Sequence, residues 1–293
     1  MKRPVHGVLL LDKPSGPSSN QALQQAKRLY SAAKAGHTGS LDPIATGLLP
    51  VCFGEATKFS HYLLESDKTY RTLIRLGITT DTGDSEGQAV HHSKVSVSRD
   101  KVEQVLVGFC GKISQIPPMY SALKYQGKAL YKYARAGIEV ERKSRDIAIY
   151  SIELNEFADE MLEITVACSK GTYIRTLSED IGVALGCGAH MVGLRRVETG
   201  NFFISSAYDL EQLEKMSIEQ RDDCLLPVDC LMPNLPSIEF DEECACRLRK
   251  GQPVQKLEVA SEGMLRLYDP NGLFFGVGEV INGNWIAPRR LVV

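Results

Sequence analysis

Apolar positions recur along this chain with two spacings. His6 to Leu11 is a short, nearly continuous apolar run and reads as a buried strand. Ser18-Ser19-Asn20 offers helix caps, and Ala22, Leu23, Ala26, Leu29, Tyr30 and Ala33 follow three or four residues apart, which predicts an amphipathic helix. Phe59, Tyr62 and Leu63 suggest a second, short helix. Lys68 to Leu76 alternates in part and stops at Gly77, as a strand does. The polar run Thr79 to Gly87 reads as a turn whose chain returns through Gln88 to His92. A capped amphipathic helix is expected over Ser98 to Val107. Two strands follow, Arg145 to Glu156 and Met161 to Cys168, with Asp159-Glu160 at their turn. A helix then starts at Gly171-Thr172 and runs through Leu185, and Gly188 to Val197 is a further strand. Strands dominate and helices are interspersed irregularly. The pattern predicts an α+β domain on a mixed, mainly antiparallel sheet rather than a doubly wound one.

Around Met232-Pro233-Asn234-Leu235-Pro236 the pattern changes. Short β-like runs follow, Met264 to Tyr268 and Leu273 to Val280. They are separated by Asp269-Pro-Asn-Gly272 and closed by Asn282-Gly283-Asn284, both strong hairpin signals. The expected organisation is a first domain over residues 1–231 and a small β-barrel-like domain over 232–293.

Composition changes this picture in one place. The 293 residues are 43% hydrophobic and 24% charged, ordinary for a globular protein. No apolar run approaches the roughly 20 residues that span a bilayer, and a cytoplasmic protein is expected. The eight cysteines form no C-x-x-C pair, so reduced thiols are expected rather than a zinc ribbon. The net charge of −2 argues against a general polyanion binder, but residues 117–145 hold seven basic and two acidic side chains, a local charge of +5. Within it Tyr120, Tyr125, Tyr131 and Tyr133 interleave with Lys124, Lys128, Lys132 and Arg135. Cations hold phosphates and aromatic faces stack on unpaired bases; a surface helix with solvated lysines would show the same composition. Gly127 and Gly137 flank the expected helix. The acidic residues Asp81, Asp84 and Glu86 lack the ligand spacing of a calcium loop and read as a solvated turn.

The segment Gly36-His37-Thr38-Gly39-Ser40-Leu41-Asp42-Pro43-Ile44-Ala45-Thr46-Gly47-Leu48-Leu49-Pro50 shows neither a helix nor a strand pattern. Its glycines and Pro43 constrain the direction of one carboxylate, Asp42. A plain Asp-Pro turn is the competing reading. The segment, with Gly54-Glu55-Ala56-Thr57-Lys58 after it, resembles the catalytic motif of the TruB-type tRNA pseudouridine synthases. Lys68-Thr69-Tyr70 and Cys168-Ser169-Lys170-Gly171-Thr172-Tyr173-Ile174-Arg175 resemble two further motifs of that family. The C-terminal part is similar to a PUA domain, an RNA-binding module.

The resemblance implies a stand-alone bacterial enzyme that turns uridine 55 in the tRNA T loop into pseudouridine. Asp42 would be the catalytic carboxylate. Tyr70 would stack on the flipped base or move a proton. Arg175 would orient Asp42 through two parallel hydrogen bonds and keep it ionised. RNA contacts would come from His37, Lys13, Tyr120, Lys124, Lys128 and Arg135, with 117–145 as an insertion that folds over the RNA. An isomerisation consumes nothing, so no cofactor and no metal are expected. The expected partner is the tRNA T-arm, met by a monomer with no membrane and no required protein partner. Two other readings stay open at this point. One is a non-catalytic RNA chaperone. The other is a nucleoside or glycoside hydrolase, which would want a second carboxylate against the first; Asp84 is the one imaginable, and nothing in the sequence puts it near Asp42.

Overall fold

The apolar run at the N-terminus forms β1 (Gly7–Lys13), and Ser18 caps α1 (Ser19–Leu29) in a reciprocal box with Gln21. Then come β2 (Ala35–His37), β3 (Thr46–Phe53), α2 (Ser60–Leu64), β4 (Lys68–Leu76) and the hairpin β5 (Ile78–Thr80) and β6 (Ala89–His92). Ser98 caps α3 (Arg99–Gly108), which leads into β7 (Gly111–Gln115). The basic-aromatic segment folds as a small hairpin, β8 (Lys124–Tyr125) and β9 (Lys128–Ala129), and the short α4 (Leu130–Ala134). Long strands β10 (Arg145–Ala158) and β11 (Met161–Cys168) precede α5 (Ile174–Leu185), β12 (Ala189–Thr199) and β13 (Phe202–Phe203). This computed structural model describes residues 2–256 and 262–292.

Nine strands form one sheet, ordered β1-β3-β12-β4-β11-β10-β7 with β2 paired to β3 and β13 to β12. All pairs are antiparallel except β3 with β12. The mixed, mainly antiparallel α+β sheet expected from the pattern is therefore present. One apolar cluster packs α3 and α5 on β4, β10 and β11 through Val102, Leu177, Ile181, Ile164 and Ile149. A second packs α1 on β1 and β3 through Leu23, Leu9, Val51 and Phe53.

Two sequence readings are corrected. The glycine-rich segment is not irregular throughout: its ends are β2 and β3, and the irregular part is residues 38–45. β3 is buried on both faces from Gly47 to Phe53, so it shows no alternation and hides its strand character. The 117–145 insertion is a hairpin before it is a helix, because Gln126 (φ +47°) and Gly127 (φ +80°) take the left-handed angles of a tight two-residue turn.

β12 meets β3 only where Arg195 faces Thr46 and Arg196 faces Gly47. Gly47 has φ +102°, and a Cβ there would stand 2.3 Å from the Arg196 carbonyl oxygen. Both strain and overlap forbid a side chain. Gly47→Ala is expected to cost about 2 kcal/mol or more, lowering Tm by roughly 5 °C in a thermal melt; an unchanged Tm would show that the two strands part freely at this point.

After β13 come α6 (Leu210–Lys215), which packs beside α1 and β1, and α7 (Ile218–Asp223), and then the C-terminal part. It continues as β14 (Ser237–Glu239), α8 (Glu242–Arg249), β15 (Val254–Gln255), β16 (Gly263–Tyr268), β17 (Phe274–Ile281) and β18 (Trp285–Leu291). The five strands form a curled sheet, ordered β14-β16-β17-β18-β15, around Phe240, Leu248, Leu265, Phe275 and Ile286. The Asn-Gly signal is realised: Asn282 (φ +50°) and Gly283 (φ +80°) turn β17 into β18. This sheet docks on the large one. Phe274 meets Phe59 edge-on with centroids 5.6 Å apart, and Lys58 Nζ donates to the Leu291 carbonyl at 3.0 Å.

Candidate active site

Residues 38–45 link β2 to β3 and carry Asp42 at the rim of a cleft of about 860 Å³. The loop is tied from several sides. Ser19 Oγ, in α1, donates to the Leu41 carbonyl (2.9 Å) and accepts from the Leu41 amide (2.7 Å). The Ala45 amide donates to the Asp42 carbonyl (3.0 Å), closing a tight turn behind the carboxylate. Lys13 Nζ donates to the carbonyls of Pro14 (2.8 Å), Pro43 (3.2 Å) and Ala45 (2.7 Å). Asp42 thus projects from a fixed backbone.

Arg175 lies in the first turn of α5, and its side chain is 5% exposed. Gln115, at the end of β7, holds the start of that helix: its Oε1 accepts from the Tyr173 amide (2.8 Å) and its Nε2 donates to the Tyr173 carbonyl (3.0 Å). Arg175 Nε reaches Asp42 Oδ2 at 3.0 Å. The pairing is not the expected parallel pair of hydrogen bonds. Nη1 faces Asp84 Oδ2 (3.7 Å) and the Thr82 carbonyl (3.4 Å), and Nη2 donates to the Tyr120 carbonyl (2.6 Å). One guanidinium is shared between two carboxylates and the insertion backbone.

Asp84 was the residue that sequence reasoning could not place. It does not sit in a solvated turn; its side chain is 4% exposed. The turn is pinned to β12: the Met191 amide donates to the Gly83 carbonyl (3.0 Å) and the Ser85 amide to the Met191 carbonyl (3.0 Å). Thr82 Oγ1 (2.6 Å) and the Glu86 amide (3.1 Å) donate to Asp84 Oδ1, leaving Oδ2 toward Arg175. Among the described residues no cluster of acidic, histidine or cysteine side chains could hold a metal ion.

Charge and burial set the protonation of the site. Asp42 keeps about 40% of its side-chain surface open, yet its pKa lies above the ordinary carboxylate value. The largest cause is burial; Arg175 offsets it, the Asp84 charge adds to it, and Lys13 offsets it slightly. Removing Arg175 would leave two carboxylates facing each other.

The other expected residues fall into four groups. Tyr70, on β4, is half-buried between both apolar clusters of the large sheet, and its hydroxyl pKa is raised by burial against the opposing pull of Arg196. His37 lines the cleft; burial, then the Arg196 charge, lower its pKa, and its Nδ1 has no hydrogen-bond partner. Tyr120, Tyr131 and Arg135 also line the cleft, Arg135 lying over the Tyr131 ring at 5.5 Å. Lys124 and Lys128 are exposed on the hairpin, with Lys128 Nζ 4.6 Å from the Tyr133 ring. Lys13 is different. It is fully buried, and burial lowers its pKa to about 8. Its ammonium is spent on loop carbonyls, so it braces the Asp42 loop rather than offering a surface cation to phosphate.

Two neighbours of the site, Gln115 and Arg196, are not singled out by the sequence, and Asp84 reads there only as part of a solvated turn or as an unplaced second carboxylate. Arg196 had a signal. Two adjacent arginines on a strand must point to opposite faces, so one had to point inward. Arg195 pairs outward with Asp12 (2.6 Å), and Arg196 is 1% exposed.

Residues 27–174 match the TruB family pseudouridylate synthase N-terminal domain. Residues 175–232 match the tRNA pseudouridylate synthase B C-terminal domain, and 236–292 the C-terminal domain of pseudouridine synthase II TruB. The chain is 54% identical to the tRNA pseudouridine synthase B of Methylobacillus flagellatus, over 100% of this chain and 97% of that protein. With the protein of the same name from Pseudomonas aeruginosa it shares 51%, over 100% and 97%. Among solved structures, a Cbf5-Nop10-Gar1 complex superposes with TM-score 0.74 at 26% identity, over 98% of this chain and 84% of that one. A Nop10-Cbf5 complex from an archaeal box H/ACA particle does so with TM-score 0.72 at 25% identity, over 98% and 85%.

Proposed function

Because this chain belongs to the TruB family of pseudouridylate synthases, we propose that it isomerises uridine 55 in the T loop of tRNA to pseudouridine, with Asp42 as the catalytic carboxylate. The observation that carries the assignment is the Asp42–Arg175 contact of 3.0 Å at the rim of an open cleft. The reaction breaks the bond from ribose C1′ to uracil N1, turns the base, and forms a bond from C1′ to C5. The proton on C5 leaves and one is taken up at N1, so the atoms balance with no second substrate.

A uridine in a folded loop must first leave its stack, which costs a few kcal/mol. The cleft and the elements around it offer what offsets this. Lys124, Lys128 and Arg135 bring positive charge from the insertion, and Tyr70 and Tyr131 bring aromatic faces. Asp42 begins the reaction from its open face and must be ionised to do so. Arg175 is the group that holds it ionised as the arriving base excludes water. Tyr70, on β4, is assigned the aromatic surface for the base. In this reading residues 1–231 form the catalytic part, with the insertion at 117–145. Residues 232–293 form an RNA-binding module, and a monomer meets the T-arm without a protein partner.

The test is pseudouridine formation in a T-arm stem-loop RNA, detected with a label or a pseudouridine-selective reagent. Product at the T-loop uridine supports the reading. Tight binding with no product would overturn it in favour of a chaperone, and free uracil would indicate a hydrolase. A further prediction concerns the insertion. Lys124→Gln and Lys128→Gln should each weaken RNA binding independently of sequence and lower the slope of log K against log salt by about one. An unchanged slope in filter binding would remove these lysines from the phosphate contacts.

A further inference from the structure

Arg196 is the largest fully buried side chain of the described residues, and no carboxylate there forms an ion pair with it. A buried guanidinium without a counter-ion is costly, so its contacts must be those that keep it. Nε donates to the Leu48 carbonyl at 2.7 Å and Nη2 to the Gly39 carbonyl at 3.0 Å. Gly39 enters the Asp42 loop, and Leu48 follows it in β3. Arg196 and Tyr70 stand opposite each other in the register of β12 and β4, and the Arg196 charge opposes the burial that raises the Tyr70 hydroxyl pKa. Its backbone is locked against Gly47, the one close passage between β12 and β3. One planar group therefore ties Gly39, in the Asp42 loop, to Leu48, just beyond it, from the strand position directly opposite Tyr70.

We propose that Arg196 is a positioning residue for the reaction, setting the distance between the Asp42 loop and the Tyr70 ring so that carboxylate and aromatic face meet one flipped base together. This rests on the assignment of Asp42 and Tyr70 made above. Arg196 does not touch the substrate; it acts by bridging two carbonyls with a rigid fork beside the Tyr70 side chain. A lysine keeps the charge but cannot span both carbonyls in one plane.

The experiment compares Arg196→Lys, which preserves the buried charge, with wild type, and includes Tyr70→Phe and the double variant. Single-turnover pseudouridine formation and the Kd for a fluorescent T-arm RNA are measured after circular dichroism shows a native fold. The expected result for Arg196→Lys is a turnover rate 10- to 100-fold lower with Kd changed less than about threefold. The loss should be non-additive with Tyr70→Phe, as for groups sharing one contact. A turnover rate within twofold of wild type, or a loss carried wholly by Kd, would overturn the role. Wild type inactive on the same RNA would instead count against the Asp42 assignment. A crystal structure of Arg196→Lys then reads the claim without turnover: loop 38–45 and the Tyr70 ring should shift apart by about 1 Å, and an unmoved loop and ring overturn it. Arg196→Met, which strands the carbonyls, is expected to lose stability as well and serves only to bound the effect.

Discussion

Asp42→Asn should abolish pseudouridine formation, by about four orders of magnitude or more, while leaving the protein folded and bound to its RNA. The substitution keeps the shape of the side chain and its hydrogen bond to Arg175 Nε, so the loop ties through Ser19 and Lys13 persist. What disappears is the anion. An amide can neither attack sugar or base nor take a proton from the ribose. Stability at neutral pH should hold or rise slightly. The pKa of Asp42 is raised in the folded chain, so the ionised form costs the fold free energy. That cost is absent below the unfolded pKa and is fully present once the pH passes the folded one. Asparagine does not incur it. A folded Asp42→Asn protein with wild-type Kd and no product would separate chemistry from binding. Turnover within tenfold of wild type would remove Asp42 from the centre of the reaction.

Arg175→Met should be the second most damaging change, and it should damage both activity and stability. Its guanidinium is 5% exposed and faces Asp84, itself 4% exposed, as well as Asp42. Removing one partner of a buried pair leaves the other charge uncompensated, at about 3 kcal/mol or more. Arg175→Lys keeps a charge but cannot reach Asp42, Asp84 and the Tyr120 carbonyl together, so it should fold better than Arg175→Met and still turn over slowly. The pH profile carries the diagnostic. Arg175 offsets the burial and the Asp84 charge that raise the Asp42 pKa. Without it the Asp42 pKa rises further, and the ionised fraction falls at any given pH. The acid limb of turnover against pH should therefore move to higher pH in Arg175→Met, with residual activity recovering as pH rises. A limb at the wild-type position would mean that Arg175 does not govern the ionisation of Asp42.

The shared guanidinium also links the site to the insertion. The Tyr120 carbonyl takes one Arg175 nitrogen at 2.6 Å, so the basic-aromatic segment and the catalytic pair are mechanically connected. Gln115 completes the link by holding the start of α5 from the strand just before the insertion.

Local cues in the sequence were enough for much of this. The capping box at Ser18 and Gln21, the partial alternation of β4 and the Asn-Gly turn between β17 and β18 are decided within a few neighbouring residues, and each formed as expected. Glycine and proline act on their own dihedral angles, so the irregular part of the Asp42 segment was legible as well. What the chain by itself determined, then, is many of the helices and strands, the mixed sheet class and the loop that carries one carboxylate; the doubly buried β3 and the hairpin of the insertion showed no such pattern. Tertiary structure decided which groups that carboxylate meets. Asp84 reaches Arg175 because its turn is pinned to Met191 on β12, more than a hundred residues away. Lys13 turns inward to two carbonyls of the Asp42 loop, Pro43 and Ala45, besides that of Pro14, and Arg196 because β12 is enclosed between β3 and β4. Periodicity and turn chemistry act over one or two turns of chain. Ion pairs and burial depend on strand order, which brings together residues that no local pattern connects.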